Sequence, residues 1–316
     1  MEGLNTKKAW AFLAPALILM AVFTFYPMIS TIIYSFINDY NGLDAARGQA
    51  FTAGIENYKK LFLFMDDNYA ASSIKFFKAL GNTAILVVFT VPLSIVIALL
   101  IAVALNSIKP LQKALQTIYF LPYVTNSLAI GSVFALMFQS AGKGTAGVQG
   151  IINTVIGWFG IGPVNWMGPG SSYAANIAVL VIYIVWNALP FKILILSGAL
   201  QSVNKQYYDA AKIDGTPKHR VLTKITVPLL SPMISYLFVT GFIGAFKEYS
   251  SVVGVFGTEM GPVGDNGRMN TVVARIYEFI EDANYGRASA MALVLFIIIL
   301  LLTIVQFQVN KKRVHF

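Results

Sequence analysis

Residues 9–37 run for 29 positions without a charged side chain, and no other feature limits the chain so strongly. A helix needs about 20 mostly apolar residues to cross the hydrocarbon core of a bilayer. Three more uncharged runs meet that length: 84–105, 118–138 and 288–309. Two others come close. Residues 174–191 are uncharged up to Lys192, after which 193–196 are apolar again, and residues 229–246 are uncharged up to Lys247 and Glu248. The pattern predicts an all-α membrane protein. It has six transmembrane helices at about 9–37, 80–106, 116–139, 174–200, 229–254 and 288–309, within a single membrane domain spanning 1–316. The first run far exceeds the 7–15 apolar residues of a signal peptide core, so it reads as a span. Pro15 and Pro27 lie inside it, and a bend or break is expected near Pro27, where the freed carbonyl needs another partner.

Composition agrees. Only 12% of residues are charged, against about 25% in an ordinary soluble domain. The chain has no cysteine, which excludes disulfides and thiolate-held metals. Its two histidines, His219 and His315, sit in basic segments, so no metal site is expected. No nucleophile–base pair or paired carboxylates fall within the spans, which argues against a membrane enzyme.

The net charge of +9 is distributed unevenly. On the amino-terminal side of the six-span layout, segments 1–8, 106–117, 197–228 and 310–316 carry twelve basic and three acidic residues. The opposite side carries nine basic and ten acidic residues. Basic residues stay in the cytosol, so both termini are expected there. The charge reads as topology plus attraction to anionic lipid, not as affinity for nucleic acid.

The opposite-side loops, 38–78, 140–173 and 255–287, are too short for separate folded domains. Residues 56–62 have the pattern of a short amphipathic helix on the membrane surface. Trp158 and Trp166 have the character of interface residues. The segment between the fourth and fifth spans, 201–228, is far longer than chain reversal requires. Asn204 is a candidate helix cap, Tyr207, Tyr208 and Ala211 share an apolar face, and Gly215 ends the helix. A second helix follows toward Pro228. Such a hairpin either lies on lipid or docks a soluble partner, and amphipathicity alone does not choose between them.

Within that hairpin, Tyr208-Asp209-Ala210-Ala211-Lys212-Ile213-Asp214-Gly215, followed by Ile225-Thr226-Val227-Pro228, resembles the EAA loop of ABC importer permeases. Phe12-Leu13-Ala14-Pro15, Tyr119-Phe120-Leu121-Pro122-Tyr123 and Trp186-Asn187-Ala188-Leu189-Pro190-Phe191 are similar to the carbohydrate-type members, in particular the MalF-like and UgpA-like halves. The chain departs from the pattern at Asp209, where the family has Glu, and at Thr216-Pro217 after the glycine. The resemblance implies a type I importer fold in the bacterial cytoplasmic membrane, with a sugar or oligosaccharide as cargo. The partners it implies are a second permease subunit, two ATPase subunits that hold ATP and Mg, and an extracytoplasmic solute-binding protein. It also implies that Tyr208, Asp209, Ala210, Ala211, Asp214 and Gly215 couple the chain to an ATPase. The chain itself has no Gly-rich phosphate loop and is expected to carry no cofactor and no catalytic residue.

By the same resemblance the cargo path lies on the fourth and fifth spans, at Asn187, Ala188, Phe191, Gly241, Ala245 and Glu248. Phe246 and Tyr249 are further stacking candidates, with Tyr119, Tyr123 and Asn126 behind them. Lys192 and Lys247 leave open an anionic cargo, such as an acidic oligosaccharide or glycerol 3-phosphate, and a polyol is a further alternative. An ion-driven secondary transporter is the alternative of another class, and it would need an intramembrane carboxylate relay. Glu248 is the one acid within the spans.

Overall fold

A computed structural model describes residues 2–63, 67–108, 117–118, 123, 125–139 and 149–313. In hydrocarbon every backbone N–H and C=O must find a partner within the protein, and the chain meets this demand with helices. Among the described residues there is no strand, only an isolated antiparallel bridge between Ile37 and Ala53.

The order along the chain is α1 (Glu2–Met20), α2 (Tyr26–Ser35), α3 (Gly42–Ala46), α4 (Glu56–Phe62), α5 (Asp67–Ser107), α6 (Ser127–Met137), α7 (Ile151–Trp158) and α8 (Tyr173–Ser202). Then come α9 (Lys205–Ile213), α10 (Lys218–Val221), α11 (Val227–Leu229), α12 (Ser231–Phe246), α13 (Ser250–Phe256), α14 (Val272–Glu281) and α15 (Tyr285–Arg313). Among the described residues, four stretches are long and apolar enough to cross a membrane: Thr6–Ser35, Ile74–Asn106, Tyr173–Ser202 and Tyr285–Asn310. A fifth forms if the pair Lys218–Leu229 and Ser231–Phe246, bent by 70°, counts as one span. The run at 118–138 yields α6, which is too short to span alone. Much of the chain just before it lies outside the described residues.

In place of the bend or break expected near Pro27, the structure has a π turn within one continuous helical stretch. Residues Ala21–Phe25 widen the helix just before the proline, so α1 continues into α2. A second π turn, Leu222–Thr226, stands in the same place relative to Pro228. A proline ring clashes with the carbonyl four residues earlier, here Phe23 and Lys224, and a wider turn relieves the clash without ending the helix. At Pro232 the relief is instead the 70° bend at Leu230.

The chain divides into two compact units, residues 1–77 with 272–298 and residues 78–271 with 299–316. In the first, α4 forms where amphipathicity predicted it, but its polar residues do not all face outward. Asn57 is fully buried. Its amide donates to the carbonyls of Ser35 (3.1 Å) and Ile37 (2.8 Å) and accepts from the Asp39 N–H (3.2 Å). Where α2 ends, the Ile37 carbonyl also accepts a long bond from the Tyr40 N–H (3.4 Å), but the Ser35 carbonyl and the Asp39 N–H have no other described partner. Asn57→Ala should strand them and cost about 1–3 kcal/mol, read as a lower unfolding midpoint in detergent.

Beside Asn57, Asp39 accepts hydrogen bonds from Lys60 and from Arg287 Nε (2.9 Å). Burial pushes the Asp39 carboxyl upward, but the hydrogen bonds and charges of Lys60 and Arg287 outweigh it and hold the group below its ordinary value. A carboxyl lowered on folding contributes stability that is full above its unfolded pKa, near 4, and is lost as pH falls through the lowered value. Stability in detergent should therefore fall as pH drops below about 4, and this loss should be smaller in Asp39→Asn. Asp39 has φ +47, which asparagine tolerates well, so the substitution keeps the backbone and removes the charge together with one of the two acceptors.

In the second unit, Asn82 at the start of its spanning segment donates to the carbonyls of Arg268 (2.9 Å) and Asn270 (2.8 Å) and accepts from the Tyr173 hydroxyl (2.7 Å). One amide thus ties the loop after α13 to α5 and α8. Residues 149–172 are held similarly. Buried Asn153 bonds both backbone groups of Val164 and the indole N–H of Trp166. Trp158 is 78% exposed, as an interface residue would be, whereas Trp166 is committed to Asn153.

Candidate functional site

The hairpin at 204–229 is built by local rules. The Asn204 side chain caps α9 by accepting the Gln206 N–H (3.0 Å). At the other end, the Thr216 N–H reaches the Ala211 carbonyl (2.9 Å) and the Gly215 N–H reaches that of Lys212 (3.2 Å). Gly215 has φ +63. This paired pattern closes a helix through a left-handed residue, a conformation that glycine adopts without steric cost. Pro217 then stands at the cap of α10.

Helix α9 has two distinct faces. Ala211 is buried, and the Tyr208 hydroxyl lies 3.3 Å from the Thr226 hydroxyl on the returning arm. Tyr208 and Ala211 therefore hold the hairpin together. Asp209, Ala210, Asp214 and Gly215 are exposed. So are Tyr207 (55%) and Ile213 (86%), which differs from the expectation that Tyr207 shares the Ala211 face. Ala210 leaves a shallow place between Tyr207 and Ile213, with carboxylates beside it. Exposed apolar residues rimmed by charge are the pattern of a contact surface.

The membrane candidates are only partly assembled. Phe191 of α8 stacks on Tyr123, with ring centroids 6.0 Å apart and planes 17° from parallel. Asn187 is half-buried, and its side chain makes no hydrogen bond to another described residue. Glu248 Oε1 accepts the Ser251 N–H (3.0 Å), and its backbone carbonyl accepts the Thr271 hydroxyl (2.7 Å). Glu248 thus caps the first turn of α13. Phe246 is buried in packing, and Tyr249 is half-buried at the corner between α12 and α13. Asn126 caps α6 through the Leu128 N–H (2.9 Å), and Tyr119 lies outside the described residues. Separately, the first unit carries a groove of about 450 Å³ walled in part by Tyr26, Tyr34, Tyr40 and Tyr285. No sequence-derived candidate lines it.

Two contacts were not visible to sequence reasoning. Lys192 is buried and its Nζ donates to Ser94 on α5. Gly131 of α6 meets Gly254 of α13 so closely that a Cβ at 131 would lie 2.7 Å from the Gly254 backbone. Each has a one-sided signal in the sequence, a lone cation in a span and a glycine in a helix, but the partners are 98 and 123 residues away.

Residues 92–315 match the family described as the binding-protein-dependent transport system inner membrane component. The chain belongs to that family. Among curated members, this permease is 27% identical over 309 residues to the lactose transport system permease protein LacF of Rhizobium radiobacter, covering 96% of this chain and 94% of that one. It is 28% identical over 312 residues to the multiple sugar-binding transport system permease protein MsmF of Streptococcus mutans, covering 98% and 97%. Its fold matches a chain of a bacterial alginate ABC transporter, crystallised with an alginate pentasaccharide-bound periplasmic protein. That match has a TM-score of 0.73 and 19% identity, and covers 98% of this chain and 95% of the other. The all-helical family fold and the membrane setting follow from these matches.

Proposed function

We propose that this chain is one permease subunit of an ATP-driven importer that moves a sugar or small oligosaccharide across the bacterial cytoplasmic membrane. The observation that carries the reading is the family match over 92–315, with the exposed face of α9 inside the matched region. The relatives' sugar-transport names support the cargo class. In this reading the chain is one permease domain of six spans with both termini in the cytosol. It pairs with a second permease subunit, and an external binding protein delivers cargo.

One of the two ATPase subunits grips α9, with Ala210 and Ile213 in contact and Asp209 paired to a basic side chain. ATP binding draws the ATPases together and moves the hairpin, and the spans turn that motion into a switch of access. Along the path, the Phe191–Tyr123 stack and the Asn187 amide offer a ring face and a hydrogen-bonding group, while Glu248 serves mainly to hold the corner before α13. The experiment is reconstitution in liposomes with and without the ATPase subunits. The importer reading expects uptake only with them and with ATP, whereas an ion-driven secondary transporter would move cargo without them.

A further inference from the structure

Lys192 sits within α8 at 7% exposure. Its Nζ donates to Ser94 Oγ on α5. Ser94 spends its own proton on the backbone, donating to the Val91 carbonyl at 3.0 Å, so its oxygen is left to accept from the ammonium. Gly241 of α12 faces the same point, and a Cβ there would come within 3.8 Å of Nζ. Three helices of the second unit therefore converge on one positive charge.

An ammonium carries three N–H donors, and Ser94 is its one hydrogen-bond partner among the described residues. None of the ion pairs among them includes Lys192. A buried charge is costly without a counter-charge, and one inside a membrane span marks a functional position by default.

We propose that Lys192 selects a cargo bearing a carboxylate, an oligosaccharide containing uronic acid, whose carboxylate supplies the missing counter-charge during passage. This rests on the importer reading above. The surroundings fit such a ligand. Phe191, the preceding residue, and Tyr123 offer a stacking face for a sugar ring, and Gly241 sets no side chain against the ammonium. A single cation balances a carboxylate, whereas a phosphate monoester carries about −1.5 to −2 and would call for a second one.

The test uses the whole complex in lipid nanodiscs, with two probes that differ only in their carboxyl groups: a trimannuronate and its carboxyl-reduced trimer. Calorimetry should show that the unmodified complex binds the acidic trimer about 10- to 100-fold more tightly, the range expected for a charged hydrogen bond. Lys192→Gln keeps a donor for Ser94 but removes the charge. It should bind the acidic trimer no better than the neutral one, while Lys192→Arg keeps the preference. Equal affinity for both trimers in the unmodified complex would overturn the proposal without recourse to any variant. A Lys192→Gln complex that weakens equally toward both would also overturn it, leaving Lys192 as a helix staple. ATP-dependent uptake of the neutral trimer alone, or of neither, would discard the charge selection and keep the importer reading, whereas uptake of either trimer without the ATPase subunits would discard the importer reading as well.

Discussion

Ala210→Trp should leave the protein folded and inserted, yet reduce ATP-dependent uptake by at least about tenfold, equivalent to about 1.4 kcal/mol of lost coupling. Ala210 is exposed on α9 between Tyr207 and Ile213, away from the Ala211 face that packs on the returning arm. A large side chain there disturbs nothing within the hairpin. It does hold off any partner that needs close approach to the helix, and bulk at the centre of a contact surface has the greatest effect. Uptake and ATP hydrolysis measured together in liposomes check this. Normal uptake by the variant would mean that the exposed face of α9 is not gripped.

The second large effect lies in the packing of α6 against α13. Gly131→Ala should destabilise the protein by about 2–3 kcal/mol, near the upper end of the usual cost of overpacking. The added carbon would lie 2.7 Å from the backbone of Gly254, and a helix backbone cannot rotate out of the way as a side chain does. Small residues permit such close crossings in membranes. The same substitution at Gly81 of α5 meets nothing within 4 Å, and should be neutral or stabilising by up to about 1 kcal/mol through helix propensity. Unfolding in detergent compares the two. Equal effects would show that the crossing tolerates a methyl group.

Hydropathy was a good guide where a span is one unbroken helix. The uncharged runs at 9–37, 84–105 and 288–309 sit inside the helical stretches Thr6–Ser35, Ile74–Asn106 and Tyr285–Asn310 to within a few residues. Lys192 does not interrupt α8, and its Nζ reaches across to Ser94 on α5. The same signal was weaker at 229–254, since an apolar run carries no record of the bend at Leu230 or of the break after Phe246. The hairpin was legible in detail because Asn204 and Gly215 act through neighbours close in sequence. Asn57 and Asn82 were not, because nothing local distinguishes a solvated asparagine near a helix end from one that joins segments 22 or 188 residues apart. For the same reason Glu248, an in-membrane acid by sequence, emerges as a cap for α13.

The chain's lack of cysteine permits a direct test of the hairpin's role. A single Ala210→Cys in the assembled complex, treated with a short bifunctional thiol reagent, should cross-link to an ATPase subunit carrying an introduced surface cysteine, and should resist a membrane-impermeant maleimide added to intact cells. Labelling from outside the cell, with no ATPase adduct at any tested position, would contradict the account.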